Sequence, residues 1–328
     1  MILAGDVGGT HTRLALFVAG ERDPHRLEIY PSAGHASLEE IIDVFSVAHP
    51  AKLDAATFGV AGPVRDGRTQ AVNLAWPVDA ARLTENLRLD AARVSVINDL
   101  EANAWGLEVL DGDDLVPLND AEPDRGGTVA LISAGTGLGE AFVTYGPHGP
   151  AAQASEGGHV DFAPRTALET KLLRWLAERC EHVSYERVCS GVGLANVYGF
   201  LRDRSSRPEP GWLAKERATG DEGAAITRAG LERRDRVASD ALDLMLSIYG
   251  AQAGNLALTV LATGGVYLGG GIAPRIVERL REGGFMAAFR AKGRMSDLLE
   301  RIPVWVILND LTALLGAARH AASAVKRG

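Results

Sequence analysis

The chain has 328 residues, 46% of them hydrophobic and 23% charged, with a formal net charge of −8. That length allows a sizeable core in one large or two ordinary domains, and the composition is that of a soluble globular protein. The acidic balance argues against an extended nucleic-acid surface, which is ordinarily basic, while leaving a local loop able to bind a small anion.

Strands and helices alternate along the chain, which predicts an α/β fold. Strands are expected over 2–6 and 12–18, a helix over 38–48, a strand over 55–61, a helix over 79–87, a strand over 94–97 and a helix over 100–109. The polar, acidic segment LDGDDLVPLNDAEPDRGG (110–127) is the expected domain boundary. Strands over 128–132 and 140–145 and helices over 166–179 and 191–202 follow. A second polar stretch, 202–223, reads as a surface excursion or mobile flap. The rest is a long helical pattern over 221–262 broken near Gly230, a strand over 266–268, a helix over 274–282, a strand over 303–308 and a helix over 311–325.

No residue from Leu244 to Pro274 is charged, a length that raises the question of a membrane span. Gln252, Asn255, Thr259, Thr263 and the glycine runs after them interrupt it, so a buried helix, a strand and a glycine turn are expected instead. The short apolar N-terminus lacks a basic leader and runs straight into Asp6, so it is not read as a signal peptide. Two cysteines, Cys180 and Cys189, with no neighbouring Cys–His set, point to buried thiols in a cytoplasmic chain rather than to disulfides or zinc.

The opening stretch MILAGDVGGTHTRLALFV is an apolar strand, a tip of Asp-x-Gly-Gly-Thr, and a second strand with apolar residues on alternate positions. Glycines at such a tip serve a tight turn, or let backbone N–H groups converge on a phosphate; the segment alone leaves both open. The form returns in TVALISAGTGLGEAFVTY, with Gly135, Thr136, Gly137 and Gly139 at the tip. Its G-x-G-x-G spacing and the strand that follows exclude the dinucleotide-binding fingerprint, and no G-x-x-x-x-G-K-[ST] occurs. A third tip, YLGGGIAPR (267–275), leads into a helix, and the three together point to a nucleotide held between two lobes.

VSVINDLEANAWG and VWVILNDLTALLGAARHA both read strand, Asn-Asp, helix. These echoes imply two related half-molecules around a shared cleft. Asn and Asp are also preferred helix caps, and the echo does not say which aspartate carries chemistry. ASEGGHVDFAP (154–164) packs Glu156, two glycines, His159 and Asp161 into six residues, a loop able to bind sugar hydroxyls or simply to turn at the surface. A metal would need a third strong ligand at useful spacing. SYERVCSGVGLANVYGF (184–200) places Glu186 ahead of a glycine-rich helix start, where a glutamate also serves as a cap.

GDVGGTHTRLAL, VAGPV, INDLEANA, AGTGLG, SEGGHVDF, ERVCSGVGLANVY and GGVYLGGGIAPR, in this order and over essentially the whole chain, resemble the bacterial ATP-dependent glucokinase family. The resemblance implies a two-lobed, actin-like ATPase fold of ribonuclease H-like α/β lobes with a nucleotide and sugar cleft between them. The small lobe is expected at 1–112 plus 303–328 and the large lobe at 113–302. It implies phosphorylation of glucose at the 6-hydroxyl by Mg-ATP, the first step of glycolysis, in a cytoplasmic homodimer with neither a nucleic-acid nor a membrane partner.

Matched position by position, Asp99 is the implied catalytic base, and Asn98, Glu156, His159 and Glu186 the implied sugar contacts. Asp6, Gly8, Gly9 and Thr10 match the first phosphate hairpin, with Asp6 holding Mg²⁺ through water, and Gly135, Thr136 and Gly137 match the second. Gly270 and Gly271 match the adenosine side, and Asn309-Asp310 is left as a helix cap. The chain departs from the family at His11, usually Asn, at Ser133-Ala134, usually Gly-Pro, and at Val72, usually Thr, beside a retained Asn73 and Trp76. The cysteine-rich zinc motif of the related repressor–kinase family is missing. The rival readings are a kinase for another hexose such as mannose or an amino sugar, an inactive sugar-sensing regulator, and an actin-like filament ATPase. The last has no use for the Glu156–His159–Glu186 set.

Overall fold

A computed structural model describes residues 1–70, 74–147 and 149–326. Val72 and Asn73 therefore lie outside the described residues. The chain divides into two compact units, the first built from Met1–Gly112, Gly146–Ala154 and the C-terminal segment from Asn309, the second from Asp113–Tyr145 and Ser155–Leu308.

The first unit holds β1 (Ile2–Val7), β2 (His11–Phe17), β3 (Arg26–Pro31), β4 (Ala55–Val60), the short hairpin β5 (Arg68–Thr69) and β6 (Val78–Asp79), and β7 (Val94–Asn98). Its main sheet runs β3-β2-β1-β4-β7. β1, β4 and β7 are parallel, β2 is antiparallel to β1, and β3 is antiparallel to β2. Side chains on alternate positions face opposite ways, so both sheet faces need cover. On one face Leu3, Leu16 and Phe58 pack with Leu38, Ile41, Ile42 and Phe45 of helix α1 (Leu38–Ala48). On the other, Ile2, Ala4, Ala15 and Phe17 pack with Leu314, Ala317, Ala318 and Ala321 of the C-terminal helix (Thr312–Lys326). Helix α2 (Ala80–Leu87) is capped by Asp79, and helix α3 (Asp99–Gly106) begins directly at the end of β7. α3 and the C-terminal helix meet backbone to backbone. A β-carbon on Gly106 would stand 2.2 Å from the Thr312 carbonyl oxygen, and one on Gly316 would stand 1.7 Å from that of Ala102.

The second unit holds β8 (Leu115–Pro117), β9 (Val129–Ala134) and β10 (Leu138–Gly146). β11 (Gly149–Ser155) begins in the segment that groups with the first unit, and β12 (Gly265–Gly269) and β13 (Val304–Ile307) complete the set. Its sheet contains the run β10-β9-β12-β13-β8, with β9, β12 and β13 parallel and β10 and β8 antiparallel to their neighbours. Helices α4 (Ala167–Ala177), α5 (Gly191–Asp203), α6 (Gly211–Thr219), α7 (Glu222–Leu231) and α8 (Arg236–Val260) supply most of its apolar core.

Several expectations need correction. β3 was not anticipated: as an edge strand with an exposed face it shows little apolar alternation. β8 lies inside the expected linker. The chain returns to the first unit after Leu308 rather than at 303, because β13 pairs with β12 and β8 in the second sheet. The 202–223 stretch contains helix α6, with Arg217 bound between Glu209 and Glu222. The long helical pattern breaks near Gly230 as expected, into α7 and α8, and the Asp235 carboxylate caps α8 by accepting from Ala238 N–H at 2.7 Å. Short helices at Val277–Arg281, Gly284–Arg290 and Ser296–Glu300 divide the segment after β12. Among the described residues no helix is long and apolar enough to cross a membrane. Both cysteines are free thiols; Cys189 is buried and Cys180 half-buried.

Candidate active site

In the first unit the parallel strands bring the expected residues to one edge. The register aligns Val7 with Val60 and Val60 with Asn98. The loop after β1, the loop after β4 and the start of α3 therefore leave the sheet side by side. Strand spacing puts the outer two about 10 Å apart. This is the carboxyl edge, where α/β sheets ordinarily bind ligands.

The tip between β1 and β2 is closed by the Gly8 N–H donating to His11 O at 3.0 Å. Gly8 and Gly9 are half-buried, whereas Thr10 and His11 are exposed. Ser32 braces this tip from beyond β3. Its hydroxyl donates to Gly8 O at 2.7 Å, its N–H donates to Thr10 O at 3.0 Å, and its oxygen lies 3.0 Å from the Thr12 hydroxyl. Nothing local in the sequence marks Ser32, because it reaches the tip only once β3 has paired with β2.

Asn98 behaves first as a cap. Its Oδ1 accepts from Leu100 N–H at 2.9 Å and Glu101 N–H at 3.3 Å, and its Nδ2 donates to Gly62 O at 2.9 Å. One amide hydrogen is then left for a ligand. Asp99 occupies the first helical position, half-buried, and its Oδ1 accepts from Leu100 N–H at 3.0 Å. The Asp6 carboxyl is raised from its ordinary value, chiefly by burial; Arg13, 3.8 Å away, pulls it down, and Asp310 pushes it up. Arg13 also donates to the Asp310 carboxylate at 3.0 Å and to its carbonyl at 2.7 Å. Asp310 thus reaches the β1–β2 hairpin through Arg13, while Asn309 is the cap, accepting from Leu311 N–H at 2.9 Å.

The second unit gathers Glu156, His159 and Glu186. His159 lies 3.8 Å from the Glu156 carboxylate and 4.0 Å from that of Glu186. The Glu156 side chain is 71% exposed and that of His159 57%, so both present their polar atoms to solvent, while Glu186 is held at 30%. Glu186 accepts from Leu138 N–H at 3.0 Å, and its carboxylate stands where a β-carbon on Gly137 would be. The second glycine tip is therefore built around the Glu186 carboxylate. His159, Glu186, Arg187 and Asn196 share the wall of a cavity of about 490 Å³.

Gly135, Thr136 and Gly271 line a second cavity of about 790 Å³ in this unit, together with Gly191, Asp221, Gly223, Thr227 and Arg275. Gly135 N–H donates to Gly137 O at 2.9 Å, and Gly135 O accepts from Gly191 N–H at 2.8 Å. Gly270 has φ +81° and a β-carbon there would meet Ala134 O at 2.3 Å, which fixes glycine at this position, whereas Gly271 opens onto the cavity. The stretch read as a surface excursion thus ends by walling the expected nucleotide side, where Gly223 packs against Gly191.

Among the described residues no cluster of three or more His, Cys, Asp or Glu forms a metal cage. A lone acidic group beside a phosphate hairpin is nonetheless what Mg²⁺ uses when it arrives on substrate phosphates and keeps most of its waters. Asp6 fits that use.

These features, two α/β units with paired glycine hairpins, an aspartate at a carboxyl edge and a Glu–His–Glu set, define a sugar kinase of the actin-like ATPase fold. A family model described as Glucokinase matches residues 3–324. The glucokinase of Nostoc punctiforme is 40% identical over 339 residues, covering 98% of this chain and 99% of that one. The crystal structure of glucokinase from an Antarctic psychrotroph is 30% identical with a TM-score of 0.86, over 97% of this chain and 98% of that one. A glucokinase of the ROK family from Streptomyces griseus, solved with glucose and AMPPNP, shares the fold at 22% identity and a TM-score of 0.65, over 100% of this chain and 99% of that one. The chain belongs to the glucokinase family.

Proposed function

We propose that this protein transfers the γ-phosphoryl group of Mg-ATP to the 6-hydroxyl of glucose, giving glucose 6-phosphate and ADP. The observation that carries this is the first unit's carboxyl edge, where Asp99 stands in one row with the glycine tip of Gly8–Thr10. Phosphoryl transfer asks for alignment and charge stabilisation more than for covalent chemistry. Asp99 accepts the proton of the attacking hydroxyl. Gly8, Gly9 and Thr10 grip phosphate oxygens, as do Gly135, Thr136 and Gly137. Gly270 and Gly271 border the adenosine. Mg²⁺, when bound, neutralises phosphate charge, and Asp6 holds its water shell.

Selectivity falls to Asn98, Glu156, His159 and Glu186, each hydrogen-bonding a distinct hydroxyl. A sugar that leaves one of these partners unmatched in the occupied site loses about 1–3 kcal/mol. The active form is a homodimer, which sedimentation or light scattering would read directly.

The test is glucose-dependent ADP release by wild type and by Asp99→Asn, with mannose and N-acetylglucosamine alongside. Strong glucose activity lost in the variant supports the reading. Activity on another sugar only would keep the mechanism and overturn the substrate, and ATP binding without turnover of any sugar would indicate a sugar-sensing regulator.

A further inference from the structure

Beneath the sugar loop lies a carboxyl group that the proposed reaction does not use. Glu140 on β10 is 2% exposed, and Gln252 on α8 donates to its Oε1 at 2.8 Å. Its Oε2 is 1.9 Å from the position a β-carbon on Gly157 would take, so only glycine lets this carboxyl reach the underside of the Glu156–His159 turn. Hydrogen bonds continue from there. Asn255 Nδ2 lies 3.1 Å from Gln252 Oε1 and 3.0 Å from the Tyr185 hydroxyl oxygen, donating to both. Tyr185 directly precedes Glu186, and its own N–H donates to Val160 O at 3.1 Å. Lys292 ends the chain, donating to Asn255 Oδ1 and to Ala251 O at 2.9 Å. One buried polar chain thus runs from under Glu156 and His159 to the segment that bears Glu186.

We propose that Glu140 is a positioning residue for the sugar: packed under Gly157 and joined to the Gln252–Asn255–Tyr185 chain, it holds both sugar-binding segments in register, and charging its buried carboxyl loosens the packing under Gly157. The inference rests on the glucose-phosphorylating function proposed above. The groups facing Glu140 are Gln252 and Tyr249 from α8 and Cys189 from the segment before α5. Burial pushes both the Tyr249 hydroxyl and the Cys189 thiol up, so each stays uncharged at neutral pH. The charges around this cluster are Glu169, paired with Arg165 at 2.9 Å, and Lys292 at the far end of the chain.

Burial also raises Glu140 from 4.5 to about 7, with the Gln252 hydrogen bond pulling the other way. Were the loop to lift and hydrate this carboxyl, its pKa would fall back toward 4.5. The closed loop is therefore fully favoured below that value, loses its advantage as pH rises to about 7, and changes no further above it.

The experiment measures glucose KM and kcat for wild type, Glu140→Gln and Gln252→Met from about pH 5.5 to about 8.5, with infrared difference spectra of the carboxyl C=O band. The expected result is a wild-type KM that rises about fivefold relative to Glu140→Gln between pH 5.5 and 7.5, with the kcat ratio flat. The band absent from Glu140→Gln titrates over the same window. Gln252→Met removes the hydrogen bond that favours the ionised form and moves the transition to higher pH. A KM ratio constant within about twofold, or a band already lost at pH 5.5, overturns the proposal. The infrared titration needs no turnover, so a protein inactive on glucose breaks the functional reading while Glu140 is still read.

Discussion

Asn98-Asp99 and Asn309-Asp310 both follow an apolar strand and precede a helix, and in both the asparagine oxygen accepts from the N–H two residues on, at 2.9 Å. The aspartates differ. Asp99 is half-buried at the first sheet's carboxyl edge, directly after Asn98, which pairs with Val60, whereas the Asp310 side chain is 78% exposed and bound by Arg13. A shared local form thus carries a shared capping role, and chemistry is assigned by what the fold sets beside it. The two glycine tips teach the same lesson. The first is braced by the Ser32 hydroxyl and backbone, the second by the Glu186 carboxylate and the start of α5.

The comparison breaks most sharply at Asp99. Asp99→Asn is expected to lower kcat by about 10²–10⁴-fold with its thermal unfolding little changed, because a general base is lost while the capping asparagine remains. If Asp310→Asn were equally inactive, the distinction between the pairs would collapse. The second tip is sharpened by Glu186→Gln, expected to raise glucose KM about tenfold through loss of a charged acceptor, with a smaller change in ATP KM. Ser32→Ala tests the first tip: the loss of its hydroxyl bond to Gly8 should cost about 1 kcal/mol in urea unfolding and raise ATP KM rather than glucose KM. The smallest effects concern Asp6. Activity that needs ionised Asp6 falls as pH drops through its raised pKa. Asp310→Asn removes a charge that raises it and should move the acid limb of kcat/KM for ATP to lower pH, while Arg13→Gln removes one that lowers it and should move the limb upward. Shifts of the same sign in both variants would exclude Asp6 as the titrating group.

Much of the first sheet was legible because its apolar strands alternate or run continuously and each is followed by a turn or a capped helix start. β3 and β8 were missed for the opposite reason. One is a solvent-facing edge, and the other is three residues inside an acidic linker. Glu156, His159 and Glu186 were expected as sugar contacts from the family resemblance, and the second unit sets both glutamates within 4.0 Å of His159. Ser32, Arg13, Glu140 and Gln252 were not read. A serine after an edge strand, an arginine within a strand, a glutamate after a glycine and a glutamine on a buried helix carry no local signal of what they will touch.

The sequence by itself determined the α/β alternation, the family, and the identity of the chemical groups, because periodicity, glycine placement and motif order are properties of neighbours along the chain. Only the tertiary structure decided that Asp99 lies at the first sheet's carboxyl edge while Asp310 is held by Arg13, that the chain returns to the first unit after Leu308, and that a buried glutamate lies beneath the Glu156–His159 turn. Those outcomes depend on strand register and on the close approach of distant backbones. Both are set by burial summed over each whole unit, and no short stretch encodes that sum.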